Sequence, residues 1–312
     1  MNITIQKYYP KNAITWNAFI KQSCNGTFLL DRNFLDYHQD RFEDASLMVY
    51  YNDKLVACVP GNSVGDQFYS HQGLTYGGVF MKLETSNELM IAILTEIIFY
   101  LKTHYLSVEI RWQPAIYNRH HLHTIKQFEF LDFNTYQALH NLHVNLRNEF
   151  NISSKKTSGY RNGKFDELRL VINNDFKIFW DDILEPQLKA RHQASPVHSL
   201  AEIELLASRF PDQIKQFLVY ESDNLLAGVT FFIKGTIVKS QYAAATLDGM
   251  KKSALDFLYI EASKNFKDLN YNYIDYGHVN ESDGSVNRGL QRFKEELGAI
   301  NQPVFRSRWS KI

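Results

Sequence analysis

Two short stretches late in the chain carry residue types suited to anion binding and proton transfer. Gly249-Met-Lys251-Lys252 stands directly before Ser253-Ala-Leu-Asp256, an S-x-x-D capping pattern, and apolar residues then recur at Leu255, Leu258, Tyr259, Ala262, Phe266 and Leu269. The spacing predicts a helix that starts near Ser253. The Lys251 and Lys252 ammonium groups and the unpaired N–H groups of its first turn would converge there as an anion site. Tyr271-Asn-Tyr-Ile-Asp-Tyr276 then reads as a strand and ends in Gly277-His278. Strand, helix, strand in this order predicts a right-handed crossover between parallel strands. It puts the lysine loop, Asp275, Tyr276 and His278 on one sheet edge, where open α/β sheets bind ligands. His278 has the intrinsic pKa of a general base, with Asp275 or Glu281 to orient it. The alternative is that the lysines are solvated, His278 is a loop histidine and Asp275 a strand-end acceptor.

Other candidates are more scattered. Arg191-His192-Gln-Ala-Ser-Pro196-Val-His198 sets a guanidinium and two imidazoles in a loop stiffened by proline, either to line an acceptor pocket or to cap and pack. On the last predicted helix Leu290, Phe293 and Leu297 share the core face, so Asn287, Gln291 and Lys294 should face a cleft, with Lys294 holding an anionic group. His71 follows the third strand candidate, in the place that Gln241-Tyr242 occupies in the second half. His120, His121 and His123 lack carboxylate or thiol partners at ligand spacing, so no metal site is expected.

The elements that must position these residues fill a chain of 312 residues with 45% hydrophobic and 14% aromatic side chains, enough for two cored domains. The 34 basic and 34 acidic residues cancel, which gives no support to generic nucleic-acid binding, and DNA is not an expected partner. Cys24 and Cys58 read as free thiols. No secretory signal or membrane-spanning run is visible, so a cytoplasmic location is expected.

The first half reads β-α-α-β-β-β-α-β-α-β. Its strands are predicted at Ile3–Tyr9, Ser46–Tyr51, Leu55–Pro60, Gln67–Tyr76, Leu106–Trp112 and Tyr136–Leu146. A capping box Thr85-Ser-Asn-Glu88 opens a long buried helix, and a weaker helical piece runs from His121 to Phe128. The second half repeats the order, with the basic, glycine-containing stretch Ser153–Lys164 as a linker. The expected architecture is α/β (α+β). Two tandem domains, 1–150 and 151–312, each carry a mixed, mainly antiparallel sheet flanked by helices, and the likelier active site lies in the second.

This order of elements resembles the GNAT acyltransferase superfamily, and two such units in one chain resemble the Fem-type, FemAB-like ligases. The motifs that carry the likeness are Arg191–His198, Gly228-Val-Thr-Phe-Phe232, Gln241-Tyr242, Ala254-Leu-Asp256, Asp275-Tyr-Gly277, Asn287-Arg-Gly-Leu290 and Phe293-Lys-Glu295. The resemblance covers the whole chain in layout and is specific from about Arg191 onward. It implies transfer of an acyl group from a thioester such as acetyl-coenzyme A to an amine of a sugar, glycan or peptidoglycan-type precursor of the cell envelope. An aminoacyl-tRNA is the alternative donor, and a non-catalytic binding protein that keeps the fold is the third reading. Asp248-Gly-Met-Lys-Lys-Ser-Ala254 departs from the Q/R-x-x-G-x-G/A pyrophosphate loop of GNAT enzymes, so Lys251 and Lys252, as point charges, are expected to hold the donor phosphates, with Ser253, Asn287 and Lys294 also at the donor. Within the same reading His278, Asp275 and Glu281 do the proton chemistry, and His71, Arg191, His192, His198, Gln241, Tyr242 and Tyr276 line the acceptor.

Overall fold

The computed structural model describes residues 2–117, 133 and 135–311, with the side chains of residues 135, 136, 191 and 192 outside that description. The histidine cluster at 120–123 and the helical piece expected from His121 to Phe128 lie outside the described residues. The chain forms two compact units, Met1–Leu139 with Pro303–Ile312, and His140–Gln302.

In the first unit β1 (Ile3–Lys7), β3 (Leu47–Tyr51), β4 (Lys54–Val59) and β7 (Phe80–Met81) pair antiparallel in the order β1-β3-β4-β7. Asn52 and Asp53 turn β3 into β4 with φ of 47° and 62°. This is the twist a two-residue hairpin needs and the one Asn and Asp tolerate best. β2 (Glu43–Asp44), β5 (Asn62–Val64), β6 (Gln67–Tyr69) and β8 (Ser107–Arg111) form a second set with the end of β15 (Ile300–Ser310), which pairs antiparallel with β8 from Arg306 on. The helix Asn87–His104 buries Met90, Ile93, Leu94, Ile97, Ile98 and Leu101. Ser86 caps it, one residue later than the expected Thr85, because it is the Ser86 hydroxyl that accepts from Leu89 N. The strand expected over 67–76 stops at Tyr69; His71 then takes φ 68° and the chain turns away.

The second unit holds β10 (Leu168–Asn173), β11 (Ile214–Glu221), β12 (Asn224–Lys234), β13 (Ile237–Ala245), β14 (Tyr273–His278) and the end of β9 (Thr135–Asn145), in that spatial order. All pairings are antiparallel except β13 with β14. The parallel pair follows from the helix between them, Ala254–Asp268, as the strand-helix-strand order predicts. Its buried face, Phe257, Leu258, Ala262 and Phe266, joins Phe217, Val229, Phe231 and Ile274 in one core.

Three local expectations fail for identifiable reasons. The stretch expected to be a linker contains a helix, Ser154–Arg161, capped by Ser153; Lys156 pairs with Asp256 at 2.6 Å and lies over the Phe293 ring at 4.1 Å. Ser253 makes no capping bond and sits at φ 56° between a short helix Leu247–Lys251, capped by Thr246, and the next one. Asp256, the expected N3 carboxylate, is drawn to Lys156 instead. On the helix Arg288–Glu296 Phe293 and Leu297 face the core and Lys294, 8% exposed, faces a cavity as expected, but Leu290, expected in the core, is 40% exposed.

Candidate active site

The site is organised by where β13 and β14 stop pairing. Their parallel register runs through Ile237↔Tyr273, Val238↔Ile274 and Lys239↔Asp275 and ends there. β13 continues to Ala245 against β12, whereas β14 enters a bulge between Asp275 and Gly277 against β9. Bulges of this kind re-aim side chains, here Tyr276. The strands thus part just beyond Lys239 and Asp275. A cavity of about 320 Å³ opens in the wedge, floored by Ser240, Gln241 and Ala243 on one side and Tyr276 on the other, with Tyr259 and Lys294 above. Its size lies at the lower end of the range for small-ligand sites.

Charge is concentrated at the apex. Asp275 is 1% exposed; its carboxylate accepts from Asn141 Nδ2 at 3.1 Å and Gly277 N at 2.8 Å and lies 3.5 Å from Lys239 Nζ. Gly277 has φ 75°, a backbone that favours glycine, and a Cβ there would stand 3.2 Å from Lys239 Nζ. Lys294 Nζ donates to the carbonyls of Gly277 and His278, each at 3.2 Å. Burial first, and then the Lys239 charge, push its ammonium down to about 8, with Asp275 opposing. An ammonium has three N–H groups, so one remains after these two carbonyls for a ligand oxygen in the cavity. His278 is exposed at the end of β14, and burial of its ring surroundings, Lys239 and Lys294 lower its pKa, leaving a neutral imidazole at physiological pH.

The walls are aromatic. Tyr259 and Tyr276 meet edge to face at 5.0 Å, and Tyr259 shares a hydrogen bond with Ser240 at 2.7 Å. Burial raises both phenols, Tyr259 to about 12, so they are protonated hydrogen-bonding groups and not bases.

Of the residues expected from the sequence, Asp275, Tyr276, His278, Lys294 and Gln241 come together at this wedge. Glu281 and Asn287 bind each other at 2.6 Å in the following loop, where Asn287 also caps the last helix through Leu290 N. Lys252 is bound to Glu221, with Asp248 at 4.0 Å, and Lys251 is exposed at the end of its short helix. Ser253 Oγ accepts from Lys164 Nζ at 2.9 Å. His198 meets the Tyr242 hydroxyl through both its backbone N and ring Nδ1, and its carbonyl accepts from Trp180 Nε1, so this pair is built into packing. Arg191 and His192 lie at the end of the helix Glu185–His192. His71 lies in the first unit, in a separate pocket with Tyr8 and Asp36. Sequence reasoning missed Lys239, Asn141 and Tyr259. The one available signal was a lysine inside the strand run Ile237-Val-Lys-Ser-Gln241, placed opposite Asp275 once the strands are taken as parallel.

Among the described residues no group of His, Cys, Asp and Glu is arranged to hold a metal ion, and no helix is long and apolar enough to cross a membrane. No protein-family model and no curated protein sequence matches the chain. Solved structures do match. A crystal structure of FemX superposes with TM-score 0.67 at 11% identity, covering 99% of this chain and 97% of that one. L-PGS from Bacillus licheniformis matches with TM-score 0.64 at 12% identity over 98% and 94%. A GCN5-related N-acetyltransferase from Sphaerobacter thermophilus matches with TM-score 0.50 at 9% identity over 99% and 95%. Likeness at these identities is a likeness of fold, and the chain has the FemAB-like, GNAT-type fold expected from its order of elements.

Proposed function

We propose that the unit His140–Gln302 transfers an acyl group from a coenzyme A thioester to an amine, with the donor seated in the wedge between β13 and β14. The observation that carries this reading is the parting of a parallel strand pair over a cavity with a cationic apex. An extended donor with amide groups can pair with the β13 edge that β14 leaves open, in the manner of an added strand. The third N–H of Lys294 then meets the acyl oxygen as it becomes an oxyanion. Neutral His278 takes the proton from the attacking amine. The amine nitrogen bonds to the carbonyl carbon, the C–S bond breaks and the thiol leaves with the proton. The acceptor class, an amino sugar or peptidoglycan-type precursor, is carried by the resemblance alone.

A second reading, an aminoacyl donor, is favoured by the higher superposition scores with FemX and with L-PGS. Radiolabelled acetyl-coenzyme A incubated with amino-sugar and peptide amines tests the first reading. Label transfer by the wild type and its loss in Ala243→Trp, which fills the wedge from an exposed position, is the expected result. Transfer only from charged tRNA would replace the thioester by the aminoacyl donor, and no transfer from either would leave a binding protein.

A further inference from the structure

The first unit has a pocket of its own, independent of the acyl-transfer reading. A cavity of about 250 Å³ is lined by Tyr8, Asp36, His38, Phe42, Asp44 and His71, with exposed Lys7 at its rim. Its floor is held by Arg32, 2% exposed, whose guanidinium lies 3.4 Å from the Tyr8 ring centre and 4.2 Å from that of Trp16. Arg32 Nη1 donates to Asp44 and, at 3.4 Å, to Asp36, and Ser46 N takes a further position on Asp44. The two carboxylates are thereby fixed while their side chains stay 37% and 36% exposed. Each carboxylate offers about four lone-pair positions, so both retain acceptors for a ligand.

A histidine adds an acceptor. His38 Nδ1 lies 2.7 Å from the Leu35 carbonyl, which can only accept, so Nδ1 carries a proton. Packing holds the ring there: a Cβ on Gly73 would come within 2.2 Å of Nε2. His71 is 4% exposed, stacks on His38 at 5.3 Å and 22°, and its Nδ1 has no hydrogen-bond partner among the described residues. Burial, then His38, push its pKa to about 3, so it is neutral. Asp36, Asp44 and the Nδ1 lone pair of neutral His71 thus gather acceptors beside the Tyr8 and Phe42 rings. Burial raises Asp36, Arg32 opposes it, and Asp44 adds to it.

We propose that this pocket binds the primary ammonium group of a small organic cation, with Asp36, Asp44 and His71 accepting its N–H groups and the aromatic rings packing on its carbon chain. An ammonium supplies three donors, no acceptor and a charge opposite to that of the carboxylates, and aromatic faces attract it. A neutral sugar would supply donors without a charge to match the two carboxylates.

The test is ligand-observed NMR on the full chain with n-pentylamine, its uncharged counterpart 1-pentanol, and D-glucose. The expected result is binding of the amine alone, weakened about ten-fold or more in Asp36→Asn and in His71→Asn; asparagine tolerates the left-handed backbone at position 71. Phe42→Leu, at a half-buried wall position, is the second probe of the pocket if the asparagine variants fold poorly by circular dichroism, and it should weaken the amine too. Equal binding of pentanol would reduce the site to an apolar crevice. Preference for glucose would make it a polyol site, and silence from all probes would remove it; each of these overturns the proposal.

Discussion

Lys239 and Lys294 place two ammonium groups beside one buried carboxylate, Asp275, and the balance among them sets the behaviour of the site. Asp275→Asn keeps an acceptor for Gly277 N and leaves Lys239 buried without a counter-charge, so it should cost about 3 kcal/mol, read from denaturant unfolding. Lys294→Met should lower the transfer rate by about 100-fold or more, the usual effect of removing one oxyanion donor. It should also change the pH dependence of stability. The Lys294 ammonium loses its proton at about 8 when folded and near 10.5 when unfolded, so between these values the unfolded chain binds more protons and stability rises with pH. Below pH 8 the burial of the charge costs roughly 3 kcal/mol. The wild type minus Lys294→Met difference in unfolding free energy should therefore climb from pH 8 to pH 10.5; a flat difference would contradict the account of Lys294. Asp275 and His278 were legible from the sequence because a strand end followed by Gly-His is a local pattern. Lys239 and Asn141 were not, because they reach Asp275 through pairing with distant strands.

At the scale of elements, the wedge depends on the helices packed around it. Gly249 in the helix Leu247–Lys251 stands where a Cβ would meet the Leu226 carbonyl of β12 at 2.1 Å, backbone that cannot give. Gly249→Ala should push this helix off the sheet and lower stability by about 2 kcal/mol or more, visible as a fall in Tm. Ser199 makes a full capping box with Glu202, and Ser199→Ala should cost about 1 kcal/mol. The partners of that box lie three residues apart, a spacing that a sequence displays directly. The failed boxes at Thr85 and Ser253 had equally good spacing. Spacing names residues able to cap, and it is the backbone at Ser253, turned to φ 56° where one helix meets the next, that withdraws the hydroxyl. The same limit shows on the last helix, where Phe293 and Leu297 keep to the core as their spacing predicts but Leu290 turns to the cavity. Lys294 is buried because two carbonyls at the end of β14 need a donor, a demand set by tertiary structure and invisible to periodicity.

For the whole molecule, the order of elements was enough to place the fold, since β-α-α-β-β-β-α-β-α-β repeated twice leaves few topologies with a parallel pair in the right position. Sequence order could not show that the last strand belongs in part to the first unit, where Arg306 bonds Glu109 and Ser307 bonds Trp112 Nε1. Truncation after Gln302 should expose β8 and unfold that unit, with Trp16 and Trp112 reporting by fluorescence. The central claim, that the wedge between β13 and β14 receives an acyl thioester, is tested most directly by thermal unfolding with and without acetyl-coenzyme A, in the wild type and in Ala243→Trp. At about one hundred times its Kd the ligand should stabilise the fold by roughly 2.7 kcal/mol, a rise of several degrees in Tm, and the rise should vanish in the variant. No rise at millimolar ligand, or an equal rise in both proteins, would contradict it.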